Sequence, residues 1–138
     1  MTIYSKAIET TELGVDLNAG PDKIFRAQAL PSTSNTSSSA FRLGNPMGRN
    51  EVKVVVNTAG TLTAALTIEI QTSATEGGSY VTVAGGTFTV AIGAIVVGQD
   101  LAKYIPPRES TDLFTKIKLT TTANESAMKV DAYLVYVS

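Results

Sequence analysis

The clearest pattern in the chain runs over residues 61–73, where Leu62, Ala64, Leu66, Ile68 and Ile70 alternate with Thr61, Thr63, Ala65, Thr67, Glu69 and Gln71. Alternation puts each set on its own side of an extended chain, so the stretch predicts a half-buried antiparallel strand with one apolar and one threonine-rich face. Residues 51–57 form a second run, Val52, Val54, Val55 and Val56 around Lys53, whose β-branched side chains suit a strand better than a helix. The break Asn57-Thr58-Ala59-Gly60 between the runs is short and turn-like, and predicts that the two strands pair as a hairpin.

Downstream the chain reads as a meander. Glu76-Gly77-Gly78 is a turn, residues 79–83 a strand, Gly85-Gly86 a second turn, and residues 87–92 a strand alternating through Phe88, Val90 and Ile92. Gly93 and Gly98 bracket a short apolar piece, and residues 101–105 are closed by Pro106-Pro107, which cannot donate to a ladder and belong at an edge or in a loop. Residues 114–122 place Phe114, Lys116 and Lys118 opposite Ile117 and Leu119. Residues 128–137 set Met128, Val130, Ala132, Leu134 and Tyr136 against Lys129, Asp131, Tyr133, Val135 and Val137. That last strand is apolar on both faces near its end, which predicts a central place in a sheet or cover by a partner. Short strands spaced about ten residues apart predict an all-β sandwich or barrel.

The first third is less regular. Weak strands are expected at residues 14–17 and 24–30 around an Asn18-Ala19-Gly20-Pro21-Asp22 turn, with residues 1–15 as an extended N-terminal arm. Residues 31–48 form a long Ser/Thr-rich connection, for which a mobile loop and an interaction segment are both open readings. The 138 residues fit a single domain spanning 1–138.

Composition narrows the chemistry. There is neither histidine nor cysteine, which removes the usual general base, the commonest metal ligand and every thiolate function, so no enzyme and no cofactor are expected. A net charge of -1 argues against a nucleic-acid partner. No apolar run is long enough to span a membrane, and the N-terminus lacks a signal-peptide core, so the cytoplasm is the expected place of synthesis. Charged residues make up only 17% of the chain, a depletion found on surfaces that partners cover. The glycines match no phosphate-binding motif. Glu69 and Asp131 would offer a hydrolase-like carboxylate pair only if their strands were neighbours, and otherwise face solvent or pair with Lys116, Lys118 or Lys129. Tyr133 and Tyr136 have opposite parity, so only one can point into a core. Arg42 and Arg49 flank the Gly44-Asn45-Pro46-Met47-Gly48 loop and Arg108 follows the double proline, positions suited to interface anchors.

The run Leu62-Thr63-Ala64-Ala65-Leu66-Thr67-Ile68-Glu69-Ile70-Gln71-Thr72-Ser73, then Glu76-Gly77-Gly78-Ser79-Tyr80, Pro106-Pro107-Arg108 and Met128-Lys129-Val130-Asp131-Ala132-Tyr133-Leu134-Val135 resembles the capsid cement, or decoration, proteins of Bordetella-type tailed phages. The resemblance lies in strand order and turn placement from Leu62 to Val135, and the long Ser/Thr loop and the Pro-Pro pair depart from it. It implies an antiparallel jelly-roll-like β-sandwich with an irregular N-terminal segment and a long Ser/Thr-rich loop. It further implies a structural virion protein on the capsid exterior, assembled in the host cytoplasm, that binds the major capsid protein and cements neighbouring subunits. A homo-oligomer, dimer or trimer, is expected because exposed strand edges are a liability for a free monomer. The expected capsid contacts are Tyr4, Lys6, Phe41, Arg42, Arg49 and Arg108. The alternative is a carbohydrate- or receptor-binding β-sandwich module of a phage particle, which the absence of tryptophan disfavours.

Overall fold

The computed structural model describes residues 23–42, 49–105 and 114–137. These form strands β1 (Lys23–Ala29), β2 (Asn35–Ser37), β3 (Phe41–Arg42), β4 (Arg49–Thr58), β5 (Gly60–Leu62), β6 (Leu66–Ser73), β7 (Val81–Val90), β8 (Gly93–Ile95), β9 (Asp100–Tyr104), β10 (Phe114–Thr121) and β11 (Lys129–Val137). There is no helix among the described residues. The fold is all-β, and every strand pair is antiparallel. One sheet has the order β1-β11-β4-β9; the other has β2-β10-β6-β7, with β3 also pairing with β10; β5 and β8 make a separate two-stranded ribbon.

The alternation seen in the sequence sets the inner faces. Val52, Val54 and Val56 of β4 and Val130, Ala132 and Leu134 of β11 point inward from the first sheet, and Leu66, Ile68 and Ile70 of β6 with Ile117 and Leu119 of β10 from the second. All of them join one apolar cluster, which Leu62 and Ile95 of the ribbon extend. Two sheets sharing a core is the arrangement of a β-sandwich, and burial of these side chains is its main driving force. β11 lies between β1 and β4, as its two apolar faces require, and β9 is an edge strand immediately before Pro106 and Pro107.

Three expectations fail, each for a physical reason. β4 and β6 do not form a hairpin, because they belong to different sheets. The chain leaves β4, runs through β5 and bends at residues 63–65 before entering β6, so the alternating stretch 61–73 is two strands rather than one. Gly85-Gly86 is not a turn: β7 passes straight through it, with Thr87 opposite Glu69 and Thr82 opposite Gln71. The extra residues of β7 bulge outward at Gly85, whose φ of 73° glycine accepts freely. Within the Ser/Thr-rich segment, Asn35, Thr36 and Ser37 form a strand that pairs with Thr120, Leu119 and Lys118 along the edge of the second sheet, and residues 43–48 lie outside the described residues. The strand expected at residues 14–17 and the turn at 18–22 lie outside the described residues.

A polar lock ties the sheets together at one end. Glu125, in the β10–β11 connection, is only 2% exposed. Its Oε2 accepts hydrogen bonds from the backbone N–H groups of Thr63 at 2.8 Å and Ala64 at 3.1 Å, and its Oε1 accepts one from the Thr63 hydroxyl at 3.2 Å. These are the donors that the bend between β5 and β6 leaves unpaired. The Glu125 N–H in turn donates to the Pro31 carbonyl at 3.2 Å, and the Thr121 hydroxyl donates to the same oxygen at 2.9 Å. Three crossings between the sheets, at residues 30–34, 59–65 and 122–128, therefore meet at one carboxylate and its loop.

A second carboxylate has a local task. Asp131, 8% exposed, accepts from the Ala27 N–H at 2.7 Å and from the Asn57 side chain at 3.2 Å. It holds the bulge of β1, where Ala27 takes a φ of 46°, outside the ordinary range for a side-chain-bearing residue.

The lock gives a direct expectation. Glu125→Ala takes the acceptor from two backbone donors and a hydroxyl at a part-buried bend and should lower the unfolding free energy by about 1–3 kcal/mol. Glu125→Gln keeps one carbonyl acceptor for both backbone N–H groups and should cost about 1 kcal/mol. Urea unfolding of the two variants measures both, and an alanine variant as stable as the parent would contradict the role given to Glu125.

Candidate interaction surface

The residues expected to touch a capsid separate in the fold. Arg42 pairs with Phe114 in the second sheet and Arg49 with Val137 in the first, so the two arginines sit on different sheets at the same end of the molecule. That end is opposite Glu125. Phe41 is a correction: its side chain is 0% exposed and belongs to the core cluster, so it packs the interior and offers no surface to a partner. The expectation took it as the start of a partner-contacting loop over residues 41–49, whereas pairing with Thr115 turns it inward. Tyr4, Lys6 and Arg108 lie outside the described residues.

The outward faces of the sheets carry most of the described charge. On the second sheet Lys116 and Lys118 of β10 stand opposite Gln71 and Glu69 of β6. Glu69 accepts from the Thr82 hydroxyl at 2.9 Å, and the Lys116 ammonium lies 4.4 Å from the ring centre of Tyr80. The Tyr80 hydroxyl donates to the Glu76 carbonyl at 2.7 Å, and its pKa is raised first by burial and then by the Glu76 carboxylate. On the first sheet Lys53 pairs with Asp100 at 3.6 Å, an exposed contact worth little to stability. Glu69 and Asp131 lie on different sheets, and each is occupied by hydrogen bonds, so they do not form a carboxylate pair. Among the described residues no group of three or more His, Cys, Asp or Glu is placed to hold a metal ion.

The end that contains Glu125 differs in character. It is built from the connections 30–34, 59–65, 91–92, 96–99 and 122–128, which the strand registers bring together: Ala29 and Thr58 both lie opposite Lys129, and Val90 and Thr121 both lie opposite Leu66. The sequence has no charged residue over 27–41, 54–68, 77–99 or 119–124. Glu125 is thus the only ionisable side chain in these connections, and it is turned inward. Among the described residues this end presents Ser, Thr, Ala, Gly, Asn and Gln together with Ile92, Val96 and Val97, which are 67%, 60% and 67% exposed. The first charges met beyond it are Arg26, Asp100 and Lys129 on one sheet and Glu69 and Lys118 on the other.

The aliphatic tip is fixed in place. Gln99 N–H donates to the Val96 carbonyl at 3.0 Å, closing a turn in which Gly98 has a φ of 86°, the geometry of a type II turn with glycine in its third position. The Gln99 side chain accepts from the Val96 N–H at 3.1 Å, and Gly98 N–H and Val56 N–H tie the turn to β4 through bonds of 3.0 Å each. Val97 is therefore held outward by a braced backbone. Sequence reasoning read this stretch as an apolar piece between glycines; the gaps in charge were visible, but only the topology places them side by side.

Comparison with protein-family models, with curated proteins and with solved structures finds no match for this chain.

The assignments of Phe41 and Val97 predict opposite responses. Phe41→Ala should cost about 3–5 kcal/mol of stability, while Val97→Ser should stay within about 0.5 kcal/mol. Denaturant unfolding of both variants checks the contrast, and similar losses for the two would contradict it.

Proposed function

We propose that this chain is a structural protein of a tailed-phage particle, binding the outside of the capsid and cementing neighbouring major capsid subunits. The observation that carries the reading is the charge-free end of the molecule, with its braced aliphatic turn. Such a surface loses little solvation when another protein covers it.

The finer fold is part of the same proposal. The order β1-β11-β4-β9 opposite β2-β10-β6-β7, all antiparallel, with β3 also on β10 and successive segments crossing from sheet to sheet, supports a jelly roll, in which two antiparallel sheets are wound from Greek-key connections. The cement role itself draws on the resemblance of residues 62–80 and 128–135 to phage decoration proteins, an argument by analogy of fold. Capsid contact is proposed for the charge-free end, where the braced and exposed Val96-Val97 turn can pack against the shell. A protein that binds the assembled shell and not its free subunits stabilises the shell by mass action.

Purified protein mixed with phage heads that lack it should cosediment saturably and raise the temperature at which those heads rupture. Heads that bind none of it, or that bind it and rupture unchanged, would overturn the cement reading.

A further inference from the structure

We infer that the outer face of the first sheet binds the acidic segment 1–22 of the same chain. The net charge of -1 is unevenly divided along the sequence. Residues 1–22 carry Glu9, Glu12, Asp16 and Asp22 against a single cation, Lys6. The strands of the first sheet carry the reverse. Lys23, Arg26, Arg49, Lys53, Lys103 and Lys129 are their cations, and Glu51, Asp100 and Asp131 are their carboxylates. Asp131 is engaged inside the fold, being 8% exposed and accepting from Ala27 and Asn57. With Glu51 and Asp100 counted as compensation, the sheet keeps a positive excess.

Half of those cations stand in one row. The registers set Lys23 opposite Tyr133, Tyr133 opposite Lys53, and Lys53 opposite Lys103, so the row crosses the sheet from β1 to β9. Lys53 and Lys103 are like charges directly across a strand pair, an arrangement that destabilises a sheet. Lys53 has Asp100 at 3.6 Å, while Lys103 is exposed and has no ion pair among the described residues. On the second sheet, by contrast, Lys118 stands opposite Glu69 and Lys116 lies over the Tyr80 ring. The acidic segment joins the row directly, since residue 22 precedes Lys23. Three strand spacings separate β1 from β9, about 14 Å, which an extended chain covers in about five residues. Asp16 and Glu12 are therefore within reach of Lys53 and Lys103. Tethering selects this occupant over a free acidic partner, because a short linker gives it a millimolar effective concentration.

The inference concerns the free chain and stands apart from the cement role. The test is zero-length carbodiimide crosslinking of the full chain, as an equal mixture of isotope-labelled and unlabelled copies, mapped by peptide mass spectrometry. The expected products join Glu12 or Asp16 to Lys53 or Lys103, with both peptides from the same copy. Their yield should fall at least about fivefold between about 0.01 M and about 1 M salt, as the screening length shrinks from about 30 to about 3 Å. Lys103→Gln removes one charge at an exposed site and should lower the yield at Lys53 at least about twofold. Lys118→Gln, on the other sheet, should leave it unchanged. No crosslink from residues 1–22 to the first sheet, a preference for Lys116 and Lys118, or a yield indifferent to salt and to Lys103→Gln would each overturn the proposal. Products found only between labelled and unlabelled copies would give the face to a neighbouring copy and overturn the same-chain placement. If no such product forms while Lys103→Gln weakens binding to phage heads, an acidic surface of the shell occupies the face instead. The expected crosslinks in a chain that binds no head would leave this inference standing and remove the cement role.

Discussion

The Glu125 carboxylate is the interaction on which the rest of the molecule depends. Two sheets can share an apolar core only if the chain crosses between them, and each crossing strips backbone donors and acceptors of their ladder partners. At this end the crossings are gathered. The bend at residues 63–65 gives its N–H groups to Glu125, the connection after β1 gives its Pro31 carbonyl to Glu125 N–H and the Thr121 hydroxyl, and the Met128 N–H closes the loop on the Glu125 carbonyl. A buried carboxylate is costly alone, but here its oxygens replace the water that three donors would otherwise need. Among the described residues, the connections at this end hold one ionisable side chain, Glu125, and it is turned inward.

That coupling links stability to the proposed function. The feature that satisfies the crossings also removes the single carboxylate from the surface, so neutrality is a consequence of the fold. The aliphatic turn at Val96 and Val97 is braced by the same end of β4, through Val56. Arg42 and Arg49 enter the two sheets at the opposite end.

Much of the strand content was legible, and the reason is parity. β6, β10 and β11 alternate cleanly, so their inner residues could be named from the chain alone, and the two-faced apolarity of the last strand foretold its central place. Pairing was not legible. The valine run and the alternating run lie next to each other in the sequence, and nothing local signals that Thr63, Ala64 and Ala65 bend the chain into the other sheet. Their acceptor, Glu125, sits far along the chain in what reads as an ordinary polar loop. The Ser/Thr-rich segment misled for the same reason: small hydroxyl residues look like linker until Thr120 and Lys118 of a distant strand supply their partners. Phe41 was placed in a partner-contacting loop because nothing local shows that it pairs with Thr115 and joins the core. The neutral end was present in the sequence as gaps between charges, but it became a surface only once the registers placed those gaps together.

The most direct measurement of the central claim is amide hydrogen exchange on the full native chain. If Glu125 locks the crossings, the Thr63 and Ala64 amides should exchange only through global unfolding, as slowly as the Val54 and Leu119 amides of the sheets. Exchange at Thr63 and Ala64 that proceeds by local opening, while the sheet amides stay protected, would contradict the account.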